Sequence, residues 1–319
     1  GVSFFSLYDK KNEVEEQYAP KRMFAFLGVK LNYFRLLLMG FRLLVSKKQQ
    51  LIWGHINFAP FALWVKKIRP DHKMVLMAHG IDVWQDLNPK KRKFLQKVDE
   101  IWAVSKYTKS RLLEQNSAWE NKTKIFPNTL DPFFPELEPS EKADFLSKRY
   151  QLKADEKVIL TLCRLSSTEG YKGYDRLVEA LPHLKCNNYK YILAGKYDET
   201  EKNRILSLAE KNEVADRLIL TGFLKEEEIQ AHFQLADLFV MPSTNEGFGI
   251  VFIEALACGT PVIAGNQDGS VDALCNGELG ELVNPNQVEE IAAAIDRSMR
   301  QGELKSFAAQ KERIQKVHA

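Results

Sequence analysis

Two carboxylates frame the segment Glu246-Gly-Phe-Gly-Ile-Val-Phe-Ile-Glu254, around a Gly-Phe-Gly turn and the start of an apolar run. A carboxylate accepts hydrogen bonds from vicinal hydroxyls, so each acid suits a sugar ring. An isolated glutamate pair is ordinarily solvated surface. Glu254, however, stands among Ile250, Val251, Phe252, Ile253, Ala255, Leu256 and Ala257, and a carboxylate in apolar surroundings needs a partner. Upstream, Arg164 and Lys172 share one loop, Arg164-Leu-Ser-Ser-Thr-Glu-Gly-Tyr-Lys172-Gly173. Two cations so placed neutralise a diphosphate and stabilise it as a leaving group when a glycosidic carbon departs from it. His79, followed by Gly80, ends another apolar run, where an imidazole can reach a transferred sugar, although a lone histidine is more often structural. The combination points to a nucleotide-sugar site. The chain contains no Asp-x-Asp, so a paired-aspartate chelate of a divalent cation is not expected, and neither a metal nor another cofactor is called for.

These side chains need strand ends and helix starts to hold them. Leu238-Phe-Val-Met-Pro-Ser reads as a buried strand stopped at Pro242, and Ala255-Leu-Ala-Cys-Gly-Thr-Pro261 as a helix stopped by glycine and proline. A helix opening near Gly249 presents the free N–H groups of Ile250 and Val251 to a phosphate, and Gly247 and Gly249, flanking Phe248, let a ligand approach the backbone. Short apolar runs alternate with helical patterns throughout, which predicts parallel sheets covered by helices. Strands are expected at 1–9, 50–54, 73–78, 100–104, 157–162, 189–195, 217–221, 238–241 and 262–264. Helices are expected from Ser105 to about Glu114 and at 175–184, 199–211, 225–235 and after Gly249, with a helical tail. Pro135-Glu-Leu-Glu-Pro-Ser-Glu-Lys142 reads as the hinge between two α/β domains, 1–137 and 138–319. In a doubly wound domain the ligand sits beyond the carboxyl ends of the strands.

Charge is divided unequally. Residues 1–135 carry 23 Lys+Arg against 12 Asp+Glu, whereas 136–319 carry 22 against 30, within a net charge of +3. The basic half is expected to face an anionic membrane surface or an acidic substrate; nucleic acid is not expected, because no nucleic-acid motif accompanies the charge. Leu31–Val45, interrupted by Arg35 and Arg42, is too short and too charged to span a bilayer and reads either as a basic amphipathic helix at a membrane or as a helix packed on a sheet. Lys90-Lys-Arg-Lys93 reads as a basic helix start on the surface in preference to a localisation signal. Four cysteines without C-x-x-C spacing imply reduced thiols and a cytoplasmic setting, and the N-terminus has no signal-peptide pattern.

In order, His79-Gly80, Val104-Ser105-Lys106, Pro127-Asn128 to Asp131, Arg164 with Lys172-Gly173, Gly222-Phe223-Leu224 and Glu246-x7-Glu254 followed by Gly259-Thr-Pro261 resemble the retaining nucleotide-sugar glycosyltransferases of family 4. The resemblance implies the GT-B fold, two Rossmann-like doubly wound parallel-sheet domains facing a cleft. It implies that Arg164 and Lys172 bind the donor diphosphate, Glu254 the ribose, and Glu246 with the Gly247–Gly249 backbone the sugar and phosphate. His79 would lie near the transferred sugar, and Gly195, Gly222, Phe223 and Leu224 would wall the base. Transfer would be metal-independent, from a UDP-hexose such as UDP-glucose to a saccharide or lipid-linked saccharide, as in polysaccharide or glycolipid synthesis. The chain departs from the family in the wider Arg164–Lys172 spacing and in its start, which looks like the strand following the family's first strand and glycine-rich loop. A nucleotide-sugar epimerase on the same fold and a non-catalytic nucleotide-sugar binding protein are the alternatives.

Overall fold

The structure, a computed structural model, describes residues 2–6, 23–28, 40–43, 45–85, 87–134 and 144–300. The expected hinge and the 137/138 boundary lie outside these residues, as does most of the 31–45 segment. The chain divides into two compact units: Gly1–Ala78 with Gln85–Trp102 and Asn116–Lys124, and His79–Trp84 with Ala103–Gln115 and Ile125–Ala319. Among the described residues no helix is long and apolar enough to cross a membrane.

In the first unit β1 (Val2–Ser6) pairs in parallel with β2 (Met23–Gly28). A four-stranded sheet runs in the order β3 (Gln50–Trp53), β4 (Lys73–Ala78), β5 (Glu100–Ala103), β6 (Thr123–Ile125). In β4, Met74, Val75, Leu76 and Ala78 are all fully buried, the continuous apolar run of a strand covered on both faces. Helix α1 (Ala59–Ile68) carries proline in its first turn, where no amide partner is lost. After α2 (Ile81–Trp84), α3 (Pro89–Lys97) is capped by Asn88, whose side chain accepts the Lys91 amide at 3.0 Å. The basic run 90–93 is therefore a helix start. Helix α4 (Lys106–Gln115) follows β5, and both α2 and α4 belong to the second unit.

The second unit holds β7 (Lys157–Leu162), β8 (Tyr189–Ala194), β9 (Leu218–Gly222), β10 (Leu238–Met241), β11 (Val262–Gly265) and β12 (Glu281–Val283). Its helices are α5 (Asp144–Arg149), α6 (Tyr174–Ala180), α7 (Glu199–Lys211), α8 (Glu226–Leu235), α9 (Ile250–Ala257), α10 (Ser270–Ala273) and α11 (Val288–Arg300). The six strands are all parallel, in the order β12-β11-β10-β7-β8-β9. The chain starts in the middle, winds out through β8 and β9, then returns to place β10 on the other side of β7. Strand order thus reverses between β7 and β10, the switch point beside which open α/β sheets bind ligands. Each face of the sheet has its own core. Val158, Leu160, Phe239 and Phe252 pack on one, and Ile159, Tyr191, Val240 and Ile295 on the other, as the period-two alternation of strands requires.

Candidate active site

Both halves of the candidate site lie at the carboxyl ends of the strands that flank this switch point. Arg164 follows β7 by two residues, and Glu246 stands in the loop between β10 and α9. The two loops are sewn together. The Thr244 amide donates to the Tyr171 carbonyl at 2.9 Å, and a Cβ on Gly173 would stand 2.1 Å from the Pro242 carbonyl oxygen. Gly173 also has φ +76°, so the β7 loop can turn into α6 and pass this close only as glycine.

Each cation of the β7 loop meets an acid. Lys172 forms an ion pair and hydrogen bond with Glu246, both side chains being mostly buried. Burial pushes the Lys172 ammonium down, but the Glu246 carboxylate outweighs it and the net direction is up, so Lys172 stays charged. Its Nζ also lies 5.2 Å from the centre of the Tyr171 ring. Arg164 pairs with Glu169 on its own loop, and its side chain is 70% exposed, open to a further anion. The sequence places Arg164 and Lys172 together as two cations for one diphosphate. In the structure they differ: one is at the surface, and the other is tied to the first glutamate of the motif.

The Gly247 peptide is held tightly on both sides. A Cβ there would stand 2.0 Å from the His79 carbonyl oxygen and 2.9 Å from Gly80 Cα. Its own carbonyl accepts the Ser105 hydroxyl at 2.6 Å and the Thr108 hydroxyl at 3.1 Å. Ser105 simultaneously caps α4 by accepting the Thr108 amide at 2.8 Å, as its place before the helix predicts. The Asp272 carboxylate accepts the Tyr107 amide at 3.1 Å, fixing α4 to α10. These contacts put His79, which is exposed, beside the glycine turn through its backbone.

Gly249 caps α9 with φ +86° and no side chain to satisfy the first amides. The Phe252 amide bonds back to the Gly249 carbonyl, while the first-turn amides of Ile250 and Val251 have no carbonyl four residues earlier within the helix. Phe248 is buried in the core, so only its backbone is available to a ligand. Glu254, one turn on, is partly buried; burial raises its carboxyl above the usual range, and among the described residues nothing hydrogen-bonds that carboxylate. A half-buried acceptor of this kind suits a pair of hydroxyls.

The base-side residues are unequal. Gly195 (φ +140°) follows β8 and donates its amide to the Gly222 carbonyl at 2.9 Å, and Gly222 (φ +75°) ends β9. Phe223 is 76% exposed, while Leu224 is buried in the core, so the Leu224 side chain serves packing and not a wall open to a ligand. Sequence reasoning missed Asp268. It is 2% exposed, and its carboxylate accepts the Ser243 hydroxyl and the Glu246 amide, each at 2.7 Å, and the Ser270 amide at 2.9 Å. In the sequence it reads as a turn residue of Asn-Gln-Asp-Gly-Ser.

Residues 142–316 match the family described as glycosyl transferases group 1. The chain is similar to the GDP-mannose-dependent alpha-(1-6)-phosphatidylinositol monomannoside mannosyltransferase of Mycobacterium tuberculosis, 31% identical over 270 residues, which are 80% of this chain and 68% of that protein. It is 32% identical to the enzyme of the same name from Mycolicibacterium smegmatis over 239 residues, 70% of this chain and 60% of that one. Among solved structures, Anabaena Alr3699/HepE in complex with UDP superposes with a TM-score of 0.79 at 17% identity, covering 99% of this chain and 95% of that one. At that identity the likeness establishes the fold, GT-B.

Proposed function

We propose a reaction for this chain from one premise: it belongs to the glycosyl transferases group 1 family. The reaction is retaining transfer of a hexose from a nucleoside diphosphate sugar to a hydroxyl of a saccharide or lipid-linked saccharide. One observation carries it: two cations, a helix start and two glutamates converge on the switch point of the six-stranded sheet.

Arg164, Lys172 and the amides at the start of α9 hold the departing diphosphate, so negative charge that grows on its bridging oxygen meets fixed positive charge. Glu254 accepts the ribose hydroxyls. Glu246, steadied by Lys172, accepts hydroxyls of the sugar, and the glycine turn lets the donor lie against the backbone. Gly195, Gly222 and the exposed Phe223 border the base. His79 stands by the sugar on the acceptor side. The bond from the anomeric carbon to phosphate breaks, the acceptor oxygen bonds that carbon on the same face, and the acceptor's proton passes to the departing phosphate. No enzymic nucleophile and no metal take part.

The sequence alone favoured a UDP-hexose, and the mycobacterial relatives are named for GDP-mannose, so both donors are proposals. The names of those relatives favour GDP-mannose as the first to test and a glycolipid as acceptor. The basic residues of the first unit suit an anionic membrane bearing such an acceptor, and the setting is cytoplasmic, where nucleotide sugars are made.

Purified protein is incubated with GDP-mannose, UDP-glucose and other donors, with and without phosphatidylinositol mannoside or oligosaccharide acceptors, in chelator. Release of nucleoside diphosphate that requires an acceptor, with the donor's anomeric configuration kept in the product, supports the reading. Interconversion of two nucleotide sugars without acceptor supports the epimerase instead, and donor binding without turnover supports a binding protein. Activity unchanged in Glu246→Ala sinks the assignment of the site.

A further inference from the structure

Buried carboxylates are costly unless donors surround them, and Asp268, beside the Glu246 loop, is almost wholly buried. Among the described residues no cation pairs with it. Hydrogen-bond donors converge on it instead, among them the Ser243 hydroxyl and Glu246 amide on Oδ2 and the Ser270 amide on Oδ1. Burial raises its carboxyl and these hydrogen bonds oppose the rise. Each carboxylate oxygen faces a backbone N–H, which can only donate, so the place demands a group that accepts on both sides, which an ionised aspartate is and an asparagine is not.

The next residue completes the hold. The Gly269 amide donates to the Glu246 carbonyl at 2.9 Å, and a Cβ on Gly269 would stand 2.2 Å from the Gly247 carbonyl oxygen. Both polar groups of the Glu246 backbone are therefore taken by Asp268-Gly269. With the backbone held on both sides, the Glu246 side chain leaves the loop toward Lys172.

We infer that Asp268 is a positioning residue for Glu246, setting through the loop backbone the direction in which the Glu246 carboxylate meets the donor. The inference rests on the donor-binding reading of Glu246, and the backbone hold itself can be measured without any donor. In Asp268→Asn the shape is kept, while one amide N–H must face a donor of the loop.

The test uses the full chain labelled with ¹⁵N. In Asp268→Asn, hydrogen exchange at the Glu246 amide is expected to quicken by about tenfold or more, with core amides such as Val240 unchanged. Affinity for GDP-mannose, or for UDP-glucose if that is the donor bound, is expected to fall about tenfold. That loss should vanish when the same substitution is made in a Glu246→Ala background, because a residue acting through Glu246 has nothing left to position. Ser243→Ala, which removes one donor and keeps the aspartate, should show the same pattern at smaller size, and it carries the test if Asp268→Asn does not fold. Unchanged exchange at Glu246, or a binding loss that persists undiminished without Glu246, overturns the inference. Faster exchange at Glu246 in a protein that binds neither nucleotide sugar leaves the backbone hold standing and removes the donor reading.

Discussion

The Ser105 hydroxyl donates a 2.6 Å hydrogen bond to the Gly247 carbonyl, 142 residues further along the chain. Thr108 supports it from one turn into α4, 3.1 Å from the same oxygen. A single loss leaves the carbonyl with the other donor, and a double loss leaves it buried without either. Ser105→Ala or Thr108→Val should each cost about 1 kcal/mol, and the pair together more than the sum, by up to about 3 kcal/mol in all. Denaturant titration of the singles and the double measures this, and strict additivity would contradict the shared-acceptor account.

Gly247 tolerates no side chain. A methyl group there meets the backbone of His79-Gly80 at the His79 carbonyl and Gly80 Cα, which cannot swing aside as a side chain can. Gly247→Ala is expected to destabilise the protein by about 2 kcal/mol or more and to lower kcat/KM by at least about a hundredfold. Thermal unfolding and donor kinetics check the two effects separately.

Glu254 should give the donor site an acid limb. Burial raises its carboxyl, so it takes up a proton at a higher pH than an ordinary glutamate, and its accepting form is lost sooner as pH falls. Nucleotide-sugar affinity should weaken on acidification through that raised value, and Glu254→Gln should bind weakly with no such limb. Stability runs the other way. An acid raised in the folded state disfavours folding while ionised, so its contribution improves as pH falls, and Glu254→Gln should be no less stable than the parent at neutral pH. Binding isotherms and unfolding curves across the acid range decide both points.

Lys172 and Arg164 should separate by experiment. Lys172 is mostly buried against Glu246, and Arg164 is largely exposed on its loop. Lys172→Ala leaves Glu246 without its cation and is expected to reduce kcat/KM about a hundredfold or more. Arg164→Ala should act on donor charge alone, with the smaller effect and the greater sensitivity to salt. Equal losses with equal salt dependence would contradict the difference in their surroundings.

Much of this architecture is legible in the chain. Strand β10 and helix α7 fall where the run Leu238–Met241 and the pattern Glu199–Lys211 place them, because each is bounded by residues that stop it. The Ser105 cap of α4 is legible from residue type and place, and so are the loop positions of Lys172 and Glu246 at strand ends. Strand β12 was not read, since Glu281-Leu-Val is too short to show a period, and β2 has no alternation to separate it from a helix segment. Helix α1 is not among the expected helices either, although its proline suits a first turn. Leu224 and Asp268 escaped because burial decides their parts. One looks like a site wall and is core, and the other looks like a turn and is buried beneath the site.

The Gly247 turn has a bearing on how the protein reaches its native state. It is held by segments near residues 79, 105 and 268, and the strands beside it already join positions some eighty residues apart, as when β7 pairs with β10. Contacts so remote in sequence form only after the entropy of closing long loops has been met, so this glycine turn should be among the last parts to order during refolding, behind locally built elements such as α7.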